Sequence, residues 1–175
     1  MLGNVSALTF DGVDDFVAVP HATVLDVTTA YTLSVWLNMT NVLGYQPILF
    51  RGDSTVDDIE LYWYPGQALT VVHNRRPGGD YDGAIYFVDP PTGTLFHLAV
   101  VFDGTVVRAY YNGLPAALSG HGCCGFSPTI PAPLATNKGW WIGLADNLNR
   151  TTGHSYTQAA SCEISSGAGC IACSA

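Results

Sequence analysis

The segment 95–116 constrains the fold of this chain more than any other. An alternating run, FHLAVVF, is followed by a second one, VVRAYY. Asp103-Gly104 separates the two runs, and Asn112-Gly113 follows the second. Alternation with a period of two is typical of a half-buried strand, and these dipeptides tolerate the positive φ that tight hairpin turns require. The segment therefore predicts an antiparallel meander at the centre of a sheet.

The rest of the chain repeats this pattern of short strands and turns. Pro20 and Pro90-Pro91 end two of the runs, since proline cannot donate a hydrogen bond to a strand ladder. We find no convincing helical periodicity, and about ten short strands at close spacing predict an all-β fold, an antiparallel two-sheet β-sandwich or jelly roll. Strand-like runs outside the meander lie at 7–10, 16–19, 31–39, 48–50, 59–64, 69–73, 84–88 and 140–144.

The charge of the chain excludes two classes of partner. Its net charge is −8, and Lys138 is its single lysine. Nucleic acid and anionic membrane surfaces would repel such a chain. No stretch approaches the roughly twenty apolar residues of a membrane span. The sequence therefore predicts neither a nucleic-acid-binding protein nor a membrane-spanning one.

The cysteines lie in Gly/Ser-rich stretches, as disulfides of exported proteins often do. No secretory signal precedes the first strand. We therefore expect either a piece of a longer exported protein or a protein that leaves the cell by another route, such as a virus particle. The odd number of cysteines leaves at least one thiol free or bonded to another chain, and the pairing stays open. The predicted disulfide residues are Cys123, Cys124, Cys162, Cys170 and Cys173.

Five successive motifs carry a resemblance to a known family. The order ALTFDGVDDFVAVP, LDVTTAYTLSVWLN, ILFRGD, FHLAVVFDGTVVRAYYNGLPA and WWIGLADN over about residues 5–147 resembles the laminin-G-like jelly rolls of the concanavalin A-like lectin/glucanase fold. The resemblance implies a sandwich of two curved antiparallel sheets. Members of the family commonly act as adhesion or glycan-binding modules of extracellular proteins, and some bind calcium.

The C-terminal end departs from that family. Its usual closing strand has no clear counterpart after Asn147, so a degenerate strand within 154–164 or a strand of a partner would replace it. The spacing of Cys162, Cys170 and Cys173 resembles the opening of a small disulfide-rich extracellular repeat. We therefore predict a sandwich over residues 1–150 and a separate cysteine-containing tail, or the start of such a repeat, over residues 151–175.

Catalytic residues are sparse. Asp58 and Glu60 lie two residues apart, as paired carboxylates about 5 to 9 Å apart on one face of a strand would. However, Tyr62 occupies the third position of the acidic strand motif found in hydrolases of this fold. The histidines lack metal-ligand spacing, and His97 is expected to be a packed, hydrogen-bonded sheet residue. We therefore predict that the protein is not an enzyme.

Acidic turns, aromatic residues and sequons supply the binding candidates. Calcium suits carboxylate-rich turns, although aspartates there also cap their own backbone. Aromatic residues next to polar groups suit glycans, although many aromatics fill cores instead. The predicted calcium ligands are Asp11, Asp14 and Asp15. The predicted ligand-binding residues are Tyr62, Tyr64 and Trp140. The predicted N-glycosylation sites are Asn149, Asn38 and Asn4.

These features predict a non-catalytic extracellular module. The first interpretation is a structural or adhesive building block of a filament, coat or matrix, joined to other subunits by inter-chain disulfides. The alternative is a glycan-binding, lectin-like module, with or without calcium. A virion surface protein is a third, minor alternative. Binding of a soluble glycan by the isolated domain favours the second interpretation, and insolubility without partners favours the first.

Overall fold

The computed structural model describes residues 7–10, 15–39, 46–52, 57–64, 68–75, 82–87, 92–118, 128–134, 136–143, 158–166 and 169–173. A short 3-10 helix spans Thr23–Leu25, and the other regular elements of these ranges are strands. The strands are β1 (Val17–Val19), β2 (Tyr31–Asn38), β3 (Gln46–Gly52), β4 (Asp57–Tyr64), β5 (Ala68–Arg75), β6 (Asp82–Phe87), β7 (Phe96–Phe102), β8 (Val107–Tyr111), β9 (Leu114–Pro115), β10 (Ala117–Leu118), β11 (Trp140–Ile142), β12 (Gln158–Ser166) and β13 (Gly169–Cys173).

The strands form two antiparallel sheets. The seven-stranded sheet has the order β1-β11-β3-β4-β5-β6-β10, and the six-stranded sheet has the order β13-β12-β2-β7-β8-β9. The prediction of an all-β, two-sheet sandwich is therefore confirmed. In the described part of the chain, no helix is both long enough and apolar enough to cross a bilayer.

The core lies between the sheets and follows the predicted alternation. Every second side chain of β2 and β7 is buried, because successive residues of a strand point to opposite faces. Trp63 of β4 packs edge-on against Phe96, with ring centroids 6.1 Å apart, and joins the two layers. The buried residues of β2 are Tyr31, Leu33, Val35 and Leu37, and those of β7 are Phe96, Leu98, Val100 and Phe102, each at most 3% exposed.

The meander predicted over 95–116 is present as β7, β8 and β9. The turn after β7 contains Gly104 at φ +100°, and the turn after β8 contains Asn112 at φ 48° and Gly113 at φ 80°. Glycine and asparagine tolerate this left-handed region better than other residues do. At Gly104 a Cβ atom would also lie 3.0 Å from the carbonyl oxygen of Thr29. The turn chemistry read from the sequence therefore fixes this hairpin.

The C-terminal strands β12 and β13 belong to the same sheet as β2. The sequence predicts a separate tail after residue 150, but β12 pairs with β2 along its length, and β13 pairs with β12. The backbone of 158–173 is thus part of the six-stranded sheet, where β12 takes the place of the closing strand. The sequence does not reveal this pairing, because the small and polar residues of AASCEISS lack the large apolar alternation of the other strands.

Candidate functional site

The pair of acids considered for catalysis is built into the interior. Asp58 is fully buried and forms an ion pair with Arg51, which is also fully buried. A register shift in the β3–β4 pairing between Arg51 and Gly52 accompanies this contact. The hydroxyl of Thr136 donates to Asp58 Oδ2 at 3.1 Å. Burial raises the pKa of Asp58 to about 6, while the charge of Arg51 acts in the opposite direction. The carboxyl group of Asp58 is therefore ionised at neutral pH, and Arg51 neutralises its charge.

The guanidinium of Arg51 also fastens the segment 25–27 to the sheet. It donates to the carbonyl oxygen of Leu25 at 3.0 Å and to that of Val27 at 3.3 Å. It also lies 5.2 Å from the ring centroid of Trp140. Such a cation–π contact, together with charge-assisted hydrogen bonds, stabilises a guanidinium that burial alone would destabilise. Arg51 is therefore an interior residue that joins the segment 25–27 and Trp140 to β3.

Trp140 belongs to the core and does not offer an exposed ring. It is 1% exposed, and its indole N–H points to the carbonyl oxygen of Leu25 at 3.4 Å. The expectation of a ligand-binding surface at Trp140 is therefore not met. Trp140 lies opposite Arg51 in the β11–β3 register, which directs its ring inward. The next residue, Trp141, is partly exposed instead, because alternation turns it to the other face.

A second buried polar group connects the two sheets. His73 of β5 is fully buried, and the Tyr31 hydroxyl lies 2.6 Å from its Nε2. Its Nδ1 lies 2.9 Å from the carbonyl oxygen of Pro131. A carbonyl oxygen only accepts, so we assign the proton to Nδ1 and the role of donor to Tyr31. Burial, together with the charge of Arg51, lowers the pKa of His73 to about 4, while the hydrogen bond to Pro131 acts in the opposite direction. The imidazole is therefore neutral at pH 7.

The middle of the outward face of the seven-stranded sheet is closed. Phe50 lies opposite Glu60 in the register, and both side chains are 0% exposed. Thr70 is also fully buried, whereas Tyr62 is partly exposed. The side chain of Tyr64 lies outside the described residues. Within the described part of this face, the predicted set of Tyr62, Tyr64 and Trp140 therefore does not form one open binding surface.

An open cleft lies instead at the edge of this sheet. It has a volume of about 370 Å³ and lies between the end of β1, Gly52 and the segment that leads into β11. Trp141 contributes its partly exposed ring, and Phe16, which is 47% exposed, packs beside that ring with centroids 5.3 Å apart. The residues that line the cleft are Ala18, Val19, Pro20, His21, Gly52, Asn137, Lys138, Gly139 and Trp141.

The walls of the cleft are held close together. A Cβ atom at Gly139 would lie 2.4 Å from the carbonyl oxygen of Val19, so the two segments approach only because residue 139 is glycine. His21, on the opposite wall, is held by Asp26 at 3.1 Å. The cleft therefore combines a fixed aromatic wall with imidazole and amide groups. Such a combination of apolar surface and a few polar groups is typical of small-ligand sites.

The outward face of the six-stranded sheet carries another exposed aromatic residue. Trp36 is 43% exposed, and its ring packs on His97 with centroids 5.1 Å apart. His97 Nε2 lies 2.8 Å from the Ser34 hydroxyl. His97 is thus a packed, hydrogen-bonded sheet residue, as the sequence predicts. The signal for Trp36 is present in the alternation of β2, where it falls between the buried Val35 and Leu37.

A family model matches residues 11–159 of the chain, and it is described as the concanavalin A-like lectin/glucanases superfamily. The chain belongs to this superfamily. The resemblance to the laminin-G-like jelly rolls is therefore confirmed, whereas the resemblance of the C-terminal cysteines to a disulfide-rich repeat stays a prediction. A comparison with the sequences of curated proteins found no match.

Solved structures of this concanavalin A-like fold are similar to the chain over most of its length. Domain 4 of an extracellular arabinanase from Geobacillus stearothermophilus, in complex with arabinotriose, aligns with 90% of this chain and 69% of its own at a TM-score of 0.62 and 18% identity. Domains LG4-5 of the mouse laminin alpha1 chain give a TM-score of 0.58 and 14% identity over 89% of this chain and 41% of their own. The Caenorhabditis elegans galectin LEC-6 gives a TM-score of 0.52 and 12% identity over 91% of this chain and 99% of its own. The fold is shared, and the chain spans less than half of the laminin fragment.

The remaining predicted sites of this concanavalin A-like domain lie partly within and partly outside the described residues. Asp15 is exposed, Asp11 and Asp14 lie outside the described residues, and no group of three metal-ligating side chains occurs in the part that the structure describes. Calcium binding stays a prediction. Asn38 ends β2 and is partly exposed, and glycosylation there stays a prediction. Asn4, Asn149, Cys123 and Cys124 lie outside the described residues. The backbone of Cys162 lies opposite that of Cys173, and Cys170 lies opposite Ser165.

Proposed function

We propose that this domain is a non-catalytic glycan-binding module of an extracellular or surface protein, and that the cleft beside Trp141 holds the sugar. The observation that carries the proposal is the partly exposed ring of Trp141, which lines an open cleft of about 370 Å³ and packs beside the ring of Phe16. The apolar C–H face of a sugar ring packs on an aromatic face, while its hydroxyl groups bond to polar side chains nearby. His21 and Asn137 supply such groups.

The absence of catalysis is supported by the state of the acidic pair. Asp58 and Glu60 are 0% exposed. A glycosidase needs one carboxyl group to protonate the leaving oxygen and another to act as base or nucleophile on the same substrate. Asp58 instead neutralises Arg51 and accepts a hydrogen bond from Thr136. Neither carboxyl group is accessible to a glycosidic bond in this arrangement.

The similar structures support the class of ligand and the location. The arabinanase domain was solved with arabinotriose, and a galectin and laminin domains share the fold. Sites rather than folds determine function, so the shared fold supports the proposal only together with the geometry of the cleft. An arabinanase described as extracellular and a laminin chain agree with an extracellular or surface location, where five cysteines would form disulfides.

The proposal is tested by calorimetric titration of the purified chain with arabinotriose, xylotriose and cellotriose, with and without calcium. Trp141→Ala is expected to weaken binding about tenfold, as the loss of about 1.5 kcal/mol of aromatic contact would. Leu114→Ala is the matched control, because Leu114 is 71% exposed on β9, away from the cleft. Equal affinity of the wild-type and Trp141→Ala proteins would contradict the assignment of the cleft.

A structural or adhesive role in a surface assembly is the second candidate. The odd number of cysteines favours it, because one thiol is left for a bond to another chain. Mass analysis of the native protein before and after reduction tests this role. Inter-chain disulfides would support it, and five free thiols on a monomer would count against it. The two roles are compatible, since adhesive modules of assemblies also bind glycans.

A further inference from the structure

The outward face of the six-stranded sheet presents an indole that the cleft does not use. Trp36 lies within β2 and is 43% exposed, while Val35 and Leu37 on either side are at most 1% exposed. The strand therefore directs this large apolar ring into solvent. It belongs to a different sheet from Trp141 of β11. Any ligand on Trp36 is thus bound on a different layer of the sandwich from a ligand in the cleft.

The ring is held in place by polar groups around it. His97 lies directly opposite Trp36 in the β2–β7 register and packs against its ring. The Ser34 hydroxyl lies 2.8 Å from His97 Nε2. The backbone N–H of His97 donates to Asn112 Oδ1 at 2.8 Å, and the backbone N–H of Asn112 donates to the carbonyl oxygen of His97 at 2.8 Å. A surface fixed in this way loses little entropy when it binds a ligand.

The neighbouring positions leave room for a flat ring beside the indole. Ser34 lies opposite Ala99, and Ala99 lies opposite Tyr110. Because serine and alanine are short, these two positions place no large side chain between Trp36 and Tyr110. The hydroxyl of Ser34 and the imidazole of His97 lie on the same face of the sheet. Planar apolar contact with hydrogen-bonding groups at its edge is the pattern that a sugar ring requires.

The charge of the surroundings selects among sugars. The chain carries a net charge of −8. A sulfated or carboxylated glycan would be repelled over the distance of a Debye length. Arg108, further along the same sheet, is paired with Asp103. The ligand that fits is an uncharged glycan chain.

We propose that Trp36, His97 and Ser34 form a second binding site, for an uncharged glycan, on the outward face of the six-stranded sheet. The inference rests on the proposed function for the class of ligand, but its residues are separate from the cleft. One domain with sites on both sheets holds two glycan chains at once. Such a domain crosslinks polysaccharide without forming an oligomer.

The four tryptophans allow each site to be observed separately. Trp36 and Trp141 are accessible, whereas Trp63 and Trp140 are each 1% exposed and serve as internal controls. We suggest following the four indole N–H resonances of the ¹⁵N-labelled chain during titration with arabinotriose, xylotriose and cellotriose. Trp→Phe variants assign the peaks. If the second site exists, the Trp36 resonance shifts saturably during the titration. The affinity obtained from this shift is expected to be at least tenfold weaker in His97→Ala.

The outcomes separate this inference from the proposed function. A shift of Trp36 alone supports the second site and overturns the cleft, and a shift of Trp141 alone does the reverse. No shift of either resonance overturns both. Shifts of both support two sites, and Trp36→Ala must then lower the number of bound trisaccharides from two to one. Leu114→Ala is the control and must leave that number unchanged.

Crosslinking supplies an independent readout. Wild-type protein is expected to raise the light scattering of soluble arabinan, and both Trp36→Ala and Trp141→Ala are expected to lose this effect. Sedimentation of the protein without glycan distinguishes a contact between copies of the chain. If Trp36→Ala converts a dimer into a monomer, the Trp36 surface is a subunit interface and the second site is refuted.

Discussion

Protonation of His73 is expected to make the fold sensitive to acid. The imidazole is fully buried between Tyr31 and the carbonyl oxygen of Pro131, and it stays neutral in the folded chain because burial lowers its pKa from 6.5 to about 4. The unfolded chain takes up the proton below about pH 6.5. Between pH 6.5 and about 4 the unfolded state therefore binds more protons, and the free energy of unfolding falls as the pH falls.

The size of this effect follows from the two pKa values. The difference between 6.5 and about 4, at about 1.4 kcal/mol per pH unit, corresponds to about 3 kcal/mol. This stability is fully present above pH 6.5 and lost by about pH 4. Asp58 acts with the opposite sign, because its pKa is raised to about 6 in the fold and the folded state takes up its proton first. The pH dependence of the free energy of unfolding of the wild-type protein alone therefore understates the contribution of His73.

A comparison of variants isolates His73. His73→Gln removes the titration but keeps an acceptor for Tyr31 and a donor for Pro131. Urea unfolding at half-unit steps from pH 4 to pH 7.5 gives the free energy of unfolding of each protein. The difference between wild type and His73→Gln is expected to change by about 3 kcal/mol across this range, since other groups contribute equally to both.

Tyr31→Phe is the matched control for burial. It removes the hydrogen bond to Nε2 but leaves the ring of His73 enclosed, so most of the acid dependence is expected to remain. Burial is the largest cause of the lowered pKa, and the hydroxyl is not among the causes. A wild-type–His73→Gln difference that varies by less than about 1 kcal/mol would refute the assignment of His73 as the buried neutral group.

Three further predictions compare substitutions in the interior with substitutions at the surface or in the cleft. Trp140→Ala is expected to lower the free energy of unfolding, measured in urea, by about 3–5 kcal/mol. Trp141→Ala should weaken glycan binding and lower the free energy of unfolding much less. Equal losses in the two variants would contradict the burial of Trp140. Asp58→Ala leaves Arg51 charged and buried, so about 3–5 kcal/mol is expected to be lost, while Asp103→Ala, from the exposed pair with Arg108, should change stability far less. Gly139→Ala forces the carbonyl of Val19 away and should cost about 1–3 kcal/mol while altering affinity at the cleft; an unchanged affinity would show that this approach does not shape it.

The sequence predicts those parts of the molecule that depend on local chemistry. The meander of β7 to β9 is fixed by Asp103-Gly104 and Asn112-Gly113, and the core side of β2 by its alternation. The same local pattern places His97 away from the core. These predictions succeed because turn conformation and strand period are properties of neighbouring residues.

Non-local pairing determines the features that the sequence does not predict. Strand β11, WWI, has only three residues, so its sequence does not show which tryptophan faces the core. The pairing of Trp140 with Arg51 places Trp140 there. The ion pair of Asp58 accompanies a register shift between β3 and β4, which no local pattern reveals. Strand β12 has little apolar periodicity of its own, and its place is set by the free edge of β2.

The buried polar groups and the cleft are parts of one arrangement. Thr136 is bonded to Asp58, and four residues later Trp140 lies over Arg51, which itself pairs with Asp58. The residues between these two fixed points, 137–139, form one wall of the cleft. A wall fastened at both ends to a buried ion pair is fixed before any ligand arrives, so the proposed glycan would order little of it on binding. A buried ion pair contributes little net stability compared with apolar residues of the same volume. Its place here is therefore better explained by the position it imposes on the cleft than by the free energy it adds to the fold.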